Sequence, residues 1–327
     1  MHALHVLIYK KVSGERGLNK MLGSLMLDDI REKRHILRNA REIVRVLAED
    51  LGERTLRSYQ NLQDARSFIH QTLSTYSDTV REQPYDVDGY QVANIVSEIK
   101  GVETPDKILL IGAHYDTIED TPGADDNGTA VAGLLELHRL LSQFSFKKTI
   151  RFVAFTLEEP PYFSGPQMGS MVHAKSCSDN NEDIDLMVCL EMIGFGGKRY
   201  HQDYPVGKMK SEYPLYGNFL TVVALPTYAP YAYAWKRVYN NYAKRNIYDL
   251  IGPASIPGIN LSDHYSFNKY GYPAIMLTDT AFYRNKNYHT ENDTFDTINF
   301  KFLSENIFNM YVTIKDLANN TGEPGEW

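Results

Sequence analysis

The chain has only two cysteines, Cys177 and Cys189, in 327 residues. That is too few for a disulfide framework, and their spacing is not that of a zinc knuckle. Both are expected to be buried free thiols, because an unpaired Cys packs as a small hydrophobe. Any bound metal would therefore have to be held by His, Asp and Glu. Basic charge is also short: 34 Lys and Arg stand against 41 Asp and Glu, a formal charge of −7. This argues against a nucleic-acid partner, whose surface would call for clustered Lys and Arg. No apolar run reaches the roughly 18 residues of a membrane span. The apolar stretch Ala3–Tyr9 is followed rather than preceded by charge and shows no cleavage site, which is not the order of a secretory signal. A cytoplasmic location is the default expectation, or secretion if the sequence begins after a removed signal. Oligomeric state leaves no mark in the sequence.

What is present is an ordinary globular composition, 43% hydrophobic and 23% charged, long enough for a sizeable core. Apolar positions at helical spacing predict helices over Ile30–Leu51 and Leu62–Tyr76. Further helices are predicted at Thr129–Leu141, Gly165–Lys175, Tyr231–Arg245 and Lys301–Ala318. Strand-like runs lie at Val92–Ile99, Lys107–Ala113, Thr149–Thr156, Asp185–Leu190, Phe219–Ala224 and Pro273–Thr278. Alternating strands and helices imply an α/β fold, a mostly parallel sheet covered on both faces. No repeat or linker divides the chain, so one domain over 1–327 is expected, with 1–28 as a poorly defined extension. The most irregular part, Gly194–Pro230, is rich in Tyr, Gly and Pro. It is longer than a routine connection, and such loops often shape binding sites.

The informative polar clusters gather where strands end, the place where open α/β sheets bind ligands. His114-Tyr115-Asp116-Thr117 follows one strand, Glu158-Glu159-Pro160 another, and Glu191-Met192-Ile193-Gly194 a third. Two more clusters fall in loops, Gly123-Ala124-Asp125-Asp126-Asn127-Gly128 and Tyr288-His289-Thr290. Imidazoles and carboxylates together form the ligand set that zinc takes when thiolates are absent. In His114-x-Asp116 the acid can accept the ring's other N–H and fix its tautomer. Of the adjacent acids Glu158 and Glu159, one can bind metal while the other takes a proton from water.

Each cluster has a plainer reading when taken alone. Asp125-Asp126-Asn127 could cap the helix near Thr129, Glu-Glu-Pro is commonly an exposed loop, and Glu191 could be an ion pair at a sheet edge. Their occurrence together and in order is what carries weight. Of the remaining eight histidines, only His264, in Ser262-Asp263-His264, has a comparable setting. The sequons at Asn127, Asn260 and Asn292 overlap or adjoin these loops and read as chance matches.

The ordered set resembles the co-catalytic zinc aminopeptidases, which are related to glutamate carboxypeptidases and more distantly to glutaminyl cyclases. The matching stretches are Gly112–Thr117, Gly123–Thr129, Glu158-Glu159, Leu190–Gly194, Ser262–His264 and His289-Thr290, within a similarity running from about Leu62 to Leu317. The resemblance implies a three-layer α/β/α zinc-peptidase fold and a peptide substrate. It implies zinc, two ions with one as the alternative, with His114 and Glu191 on one ion, Glu159 and His289 on the other, and Asp125 bridging. Glu158 would be the general base, Asp116 would orient His114, and Asp263 and His264 would support the site. The family also places a cis peptide after the bridging aspartate, here Asp125–Asp126. A Tyr of the long loop is expected to assist the oxyanion. One position departs: family members often have Asp where this chain has Glu191, so the carboxylate must reach from one methylene further out. Aminopeptidase action is the favoured activity. Carboxypeptidase specificity, single-zinc cyclisation and a non-catalytic binding domain are the alternatives.

Overall fold

The computed structural model describes residues 28–322 and 324. The expected N-terminal extension and the run Ala3–Tyr9 therefore lie outside the described residues, apart from Asp28. Helix α1 occupies residues 28–45 and continues into a wider turn at Val46–Leu51, and α2 spans Tyr59–Ser74. Strands β1 (Arg81–Val87), β2 (Tyr90–Ile99) and β3 (Thr104–His114) follow, then α3 (Ala130–Leu141), β4 (Lys148–Phe155), α4 (Gly169–Asp179) and β5 (Asp183–Glu191). The rest comprises α5 (Met209–Glu212), β6 (Thr221–Ala224), α6 (Ala229–Tyr242), β7 (Tyr248–Ile251), α7 (His264–Lys269), β8 (Ala274–Thr278) and α8 (Phe300–Leu317).

The strands form one sheet in the order β1-β2-β4-β3-β5-β8-β6-β7. Its centre, β4-β3-β5-β8, is parallel, and antiparallel pairings join it to β2 on one side and β6 on the other. Side chains alternate across the central strands. Leu109, Ile111 and Ala113 of β3 enter one core with α2, α3, α6 and α8, while Ile108 and Leu110 enter a second with α4 and α7. Burial on both faces explains why these strands read as nearly unbroken apolar runs. Cys177 and Cys189 are buried free thiols in the second core, as expected.

Two strands escaped the sequence reading. β1 is a partly exposed edge strand carrying Pro84, and proline within a run argues against a central strand. β7 has four residues at the opposite edge, too few to show a period. The crossovers bring the ends of β3, β4, β5 and β8 to the same rim of the sheet, and the site forms there.

Candidate metal centre and cleft

His114 is the last residue of β3 and Glu191 the last of β5, while Glu158 and Glu159 lie just beyond β4. The loop before α3 and the segment after β8 close over this rim. His114 Nε2 lies 3.5 Å from Asp126 Oδ1 and 3.4 Å from Glu191 Oε2. His289 Nε2 lies 3.3 Å from Asp126 Oδ2 and 3.3 Å from Glu159 Oε2. Thus one carboxylate, Asp126, offers one oxygen to each imidazole. Two donor groups result, His114/Asp126/Glu191 and Asp126/Glu159/His289, each with its ligand atoms within 4.8 Å of one another.

The shared carboxylate is not the one expected from the sequence. Asp125 is turned away: its Oδ1 accepts from the Thr129 hydroxyl and the Gly194 N–H, and its Oδ2 accepts from Asn285. The cis peptide likewise lies at Asp126–Asn127 rather than at Asp125–Asp126. Two adjacent aspartates cannot be ranked by type or spacing; the direction of each side chain depends on the backbone of the loop. Glu191, despite its extra methylene, reaches His114, and Ser262 donates to its Oε2 at 2.6 Å.

Asp116 stands behind both groups. His114 Nδ1 is 3.3 Å from the Asp116 backbone carbonyl and 3.6 Å from its Oδ1, so the main chain is the nearer partner of the ring. Asp116 Oδ2 accepts the Glu159 N–H at 3.1 Å. Asp263 is fully buried, and burial pushes its carboxyl up to about 7. His264 does not face the cleft: its Nε2 lies 2.6 Å from the Ile259 carbonyl, and burial holds its pKa down at about 4. Asn127 is buried with its side chain bonded to Leu190 O and Met192 N, which leaves no room for a glycan.

The electrostatics are those of a site with too much negative charge. Burial, reinforced by Glu159 and Glu191, raises the Glu158 carboxyl well above its usual range. Burial and the Asp126 charge push Glu159 up to about 7. Burial opposes charge on His289, yet Asp126 and Glu159 lift it to about 10. Around His114 the attraction of Glu158 and Glu191 likewise outweighs desolvation and raises its pKa. Glu159 Oε1 and Asp116 Oδ1 are buried without a hydrogen-bond partner. Buried carboxylates in this state call for cations. The residues fit zinc: each group supplies nitrogen and oxygen donors from three side chains, the set of a site with an open position. The backbone is held unusually here too, with positive φ at Leu157, Met192 and His289; such conformations cluster at functional sites.

Glu158 lies outside both donor groups but lines the same cleft, together with Pro160, Phe163, Leu261 and Tyr288. Tyr288 stacks on His289 with ring centroids 3.7 Å apart. The tyrosine at the cleft is thus not one from the long loop; Tyr204 and Tyr213 of that loop line an adjoining apolar pocket instead. Glu191, Leu261 and Tyr288 line both cavities.

A family profile described as peptidase family M28 matches residues 94–314. The chain belongs to peptidase family M28. This M28 chain is 36% identical over 271 residues to the uncharacterized protein YfbL of Escherichia coli K12, covering 80% of the chain and 82% of YfbL. It is 26% identical over 218 residues to leucine aminopeptidase 2 of Arthroderma otae, covering 63% of the chain and 41% of that relative's length. A zinc aminopeptidase from Bacillus subtilis has the same fold, with a TM-score of 0.67 at 14% identity over 88% of this chain and 97% of the other. Membership makes the protein a peptidase, as the resemblance implied. Among the described residues no helix is long and apolar enough to cross a membrane.

Three further residues near the site went unnoticed in the sequence: Asp279, Asp293 and Arg54. Asp279 directly follows β8, so its position past a strand end was an available signal. Its carboxylate accepts the Phe195 N–H at 2.7 Å. Asp293 and Arg54 carried no comparable signal.

Proposed function

We propose that this M28 peptidase is a single-domain two-zinc aminopeptidase that removes apolar amino-terminal residues from peptides. The observation that carries the reading is the division of Asp126 between His114 and His289, with Glu158 left over in the same cleft. His114, Asp126 and Glu191 would hold one ion, and Asp126, Glu159 and His289 the other. Zinc bound there supplies Lewis acidity for the scissile carbonyl and lowers the pKa of water.

The chain's own groups do the rest. Glu158 takes a proton from the attacking water and returns it to the leaving amine, the ordinary duty of a general base and acid. Tyr288, whose hydroxyl proton is retained because burial raises its pKa, is the neighbouring donor for the developing oxyanion.

Direction of attack follows from charge. Among the described residues, no Lys or Arg lines the cleft or the adjoining pocket. Cations of the surrounding elements have other partners: Lys236 is paired with Asp249, Arg199 lies over Tyr200, and Arg284 binds Gln202 and the Phe195 carbonyl. Beyond the metal ions, a substrate carboxylate would find no cation on these walls, whereas an ammonium group would find carboxylates there. The pocket walls include Met209, Tyr213, Phe219, Val223, Leu250 and Met276, which favours an apolar side chain.

The test is removal of metal by chelation, followed by assay on leucyl and phenylalanyl anilides and on peptides blocked at either end. Activity should vanish, return with about two zinc ions per chain, and require a free amino end. Full activity without metal, or trimming from the carboxy end, would overturn the proposal.

A further inference from the structure

Arg54 is fully buried, between α1 and α2, and has no carboxylate within ion-pair distance among the described residues. Its guanidinium is satisfied by backbone carbonyls alone. Nε donates to Tyr115 O at 2.7 Å, and Nη1 to Leu47 O, Gly52 O and Pro122 O at 2.9, 2.8 and 2.8 Å. Nη2 donates to Gly123 O at 3.0 Å. Tyr115 directly follows His114, Pro122 and Gly123 lie just before Asp125 and Asp126, and Leu47 and Gly52 belong to the wider turn that ends α1 and to its cap.

The other polarity of the same stretch goes to Asp293, which is also buried. Its Oδ1 and Oδ2 accept the Asp125 N–H at 3.0 and 3.2 Å, its Oδ2 accepts the Asp126 N–H at 3.0 Å, and its backbone carbonyl accepts the Ala124 N–H at 3.1 Å. Residues 122–126 are therefore held by carbonyls on a buried cation and by amides on a buried anion. The fit is tight at Gly123, where φ is +60°. A Cβ there would lie 2.5 Å from Asp126 O and 2.8 Å from Arg54 Nη2.

We propose that Arg54 and Asp293 are paired positioning residues that fix the Asp126 carboxylate between His114 and His289 before any metal arrives. Neither touches the cleft: both act through the backbone of the loop. The pairing rests on the reading of Asp126 as the shared ligand. Physically, a bridging carboxylate on a loop must lose its freedom either during folding or on binding metal. A loop already ordered in the folded protein leaves less entropy to be lost when zinc binds. Arg54 ties the loop to the end of β3, so the bridge and His114 keep one geometry, and Asp293 ties it to the segment carrying His289. A lysine cannot replace the fork of Arg54, because its single ammonium cannot reach carbonyls arranged around a plane.

The first measurement uses the unaltered chain. Hydrogen exchange on metal-free protein should show the amides of Asp125 and Asp126 already protected, with little further change on adding zinc. Exchange as fast as in an unstructured loop until zinc is added overturns the proposal. This outcome does not depend on zinc binding, so a protein that takes up no zinc would defeat the two-zinc reading and leave the exchange result to be judged separately.

The second uses Arg54→Lys and Asp293→Asn, each first checked for a cooperative melt. Zinc affinity is expected to fall about 10–100-fold, the usual effect of altering outer partners of a metal site. The visible spectrum of the cobalt-substituted protein should shift as well. The double variant should lose less than the product of the two single effects, because both act on one loop. Lower melting temperatures with unchanged zinc affinity and cobalt spectrum would reduce both residues to scaffold and sink the inference.

Discussion

Asp125 and Asp126 are neighbours in the chain but divided in space: the first is bonded to Thr129 and Asn285, the second lies between His114 and His289. Their substitutions should therefore separate. Asp126→Asn should abolish stoichiometric zinc binding at both positions, reading well below one ion per chain by elemental analysis. Asp125→Asn keeps all five side chains of the donor groups and should cost about 10–100-fold in affinity or turnover, as for other supporting partners. Equal loss in both variants would contradict the placement.

Glu158 faces the cleft but belongs to neither donor group. Glu158→Gln should retain near-normal zinc content while kcat falls by ~10²–10⁴, the worth of a general base. Titration calorimetry alongside steady-state kinetics checks both halves. Loss of zinc in this variant would make Glu158 a ligand instead.

The apolar pocket should govern which residue is removed. Leu250 lines it from β7, and Leu250→Trp fills space there. Leucyl and phenylalanyl substrates should lose about 10–100-fold in kcat/KM, within the range set by a hydrophobic pocket, while alanyl substrates change little. A uniform drop across all three would place the pocket outside the substrate path.

Stability in acid is expected to depend on His138 and His173, both in the interior and away from the cleft. Burial lowers their pKa values from 6.5 to about 4 and about 3. The folded protein thus binds fewer protons than the unfolded chain below pH 6.5. Their contribution is intact above that value and is lost as pH falls toward 4 and 3, at about 1.4 kcal/mol per pH unit per histidine at most. His138→Gln, which can still meet Ser97, should flatten the decline in melting temperature between pH 6.5 and 4. An unchanged slope would argue against a neutral buried imidazole.

Much of the site was legible because its chemistry is written in residue type and position. His114, Glu158, Glu159 and Glu191 stand at or just beyond the ends of β3, β4 and β5, and the apolar runs before them announce buried parallel strands. His289 was found with them by motif. The edge strands β1 and β7 were not legible, since exposure and shortness erase the period that marks a strand.

The sequence alone determined the types of donor available, histidines and carboxylates without thiolates, and the sheet that gathers them at one rim. Tertiary structure decided which of two adjacent aspartates is shared, which tyrosine reaches the cleft, and that His264 turns away from it. The reason is directional: composition and period say which residues are buried. The aim of a side chain is set by loop backbone, and that backbone is held by groups as distant in sequence as Arg54 and Asp293.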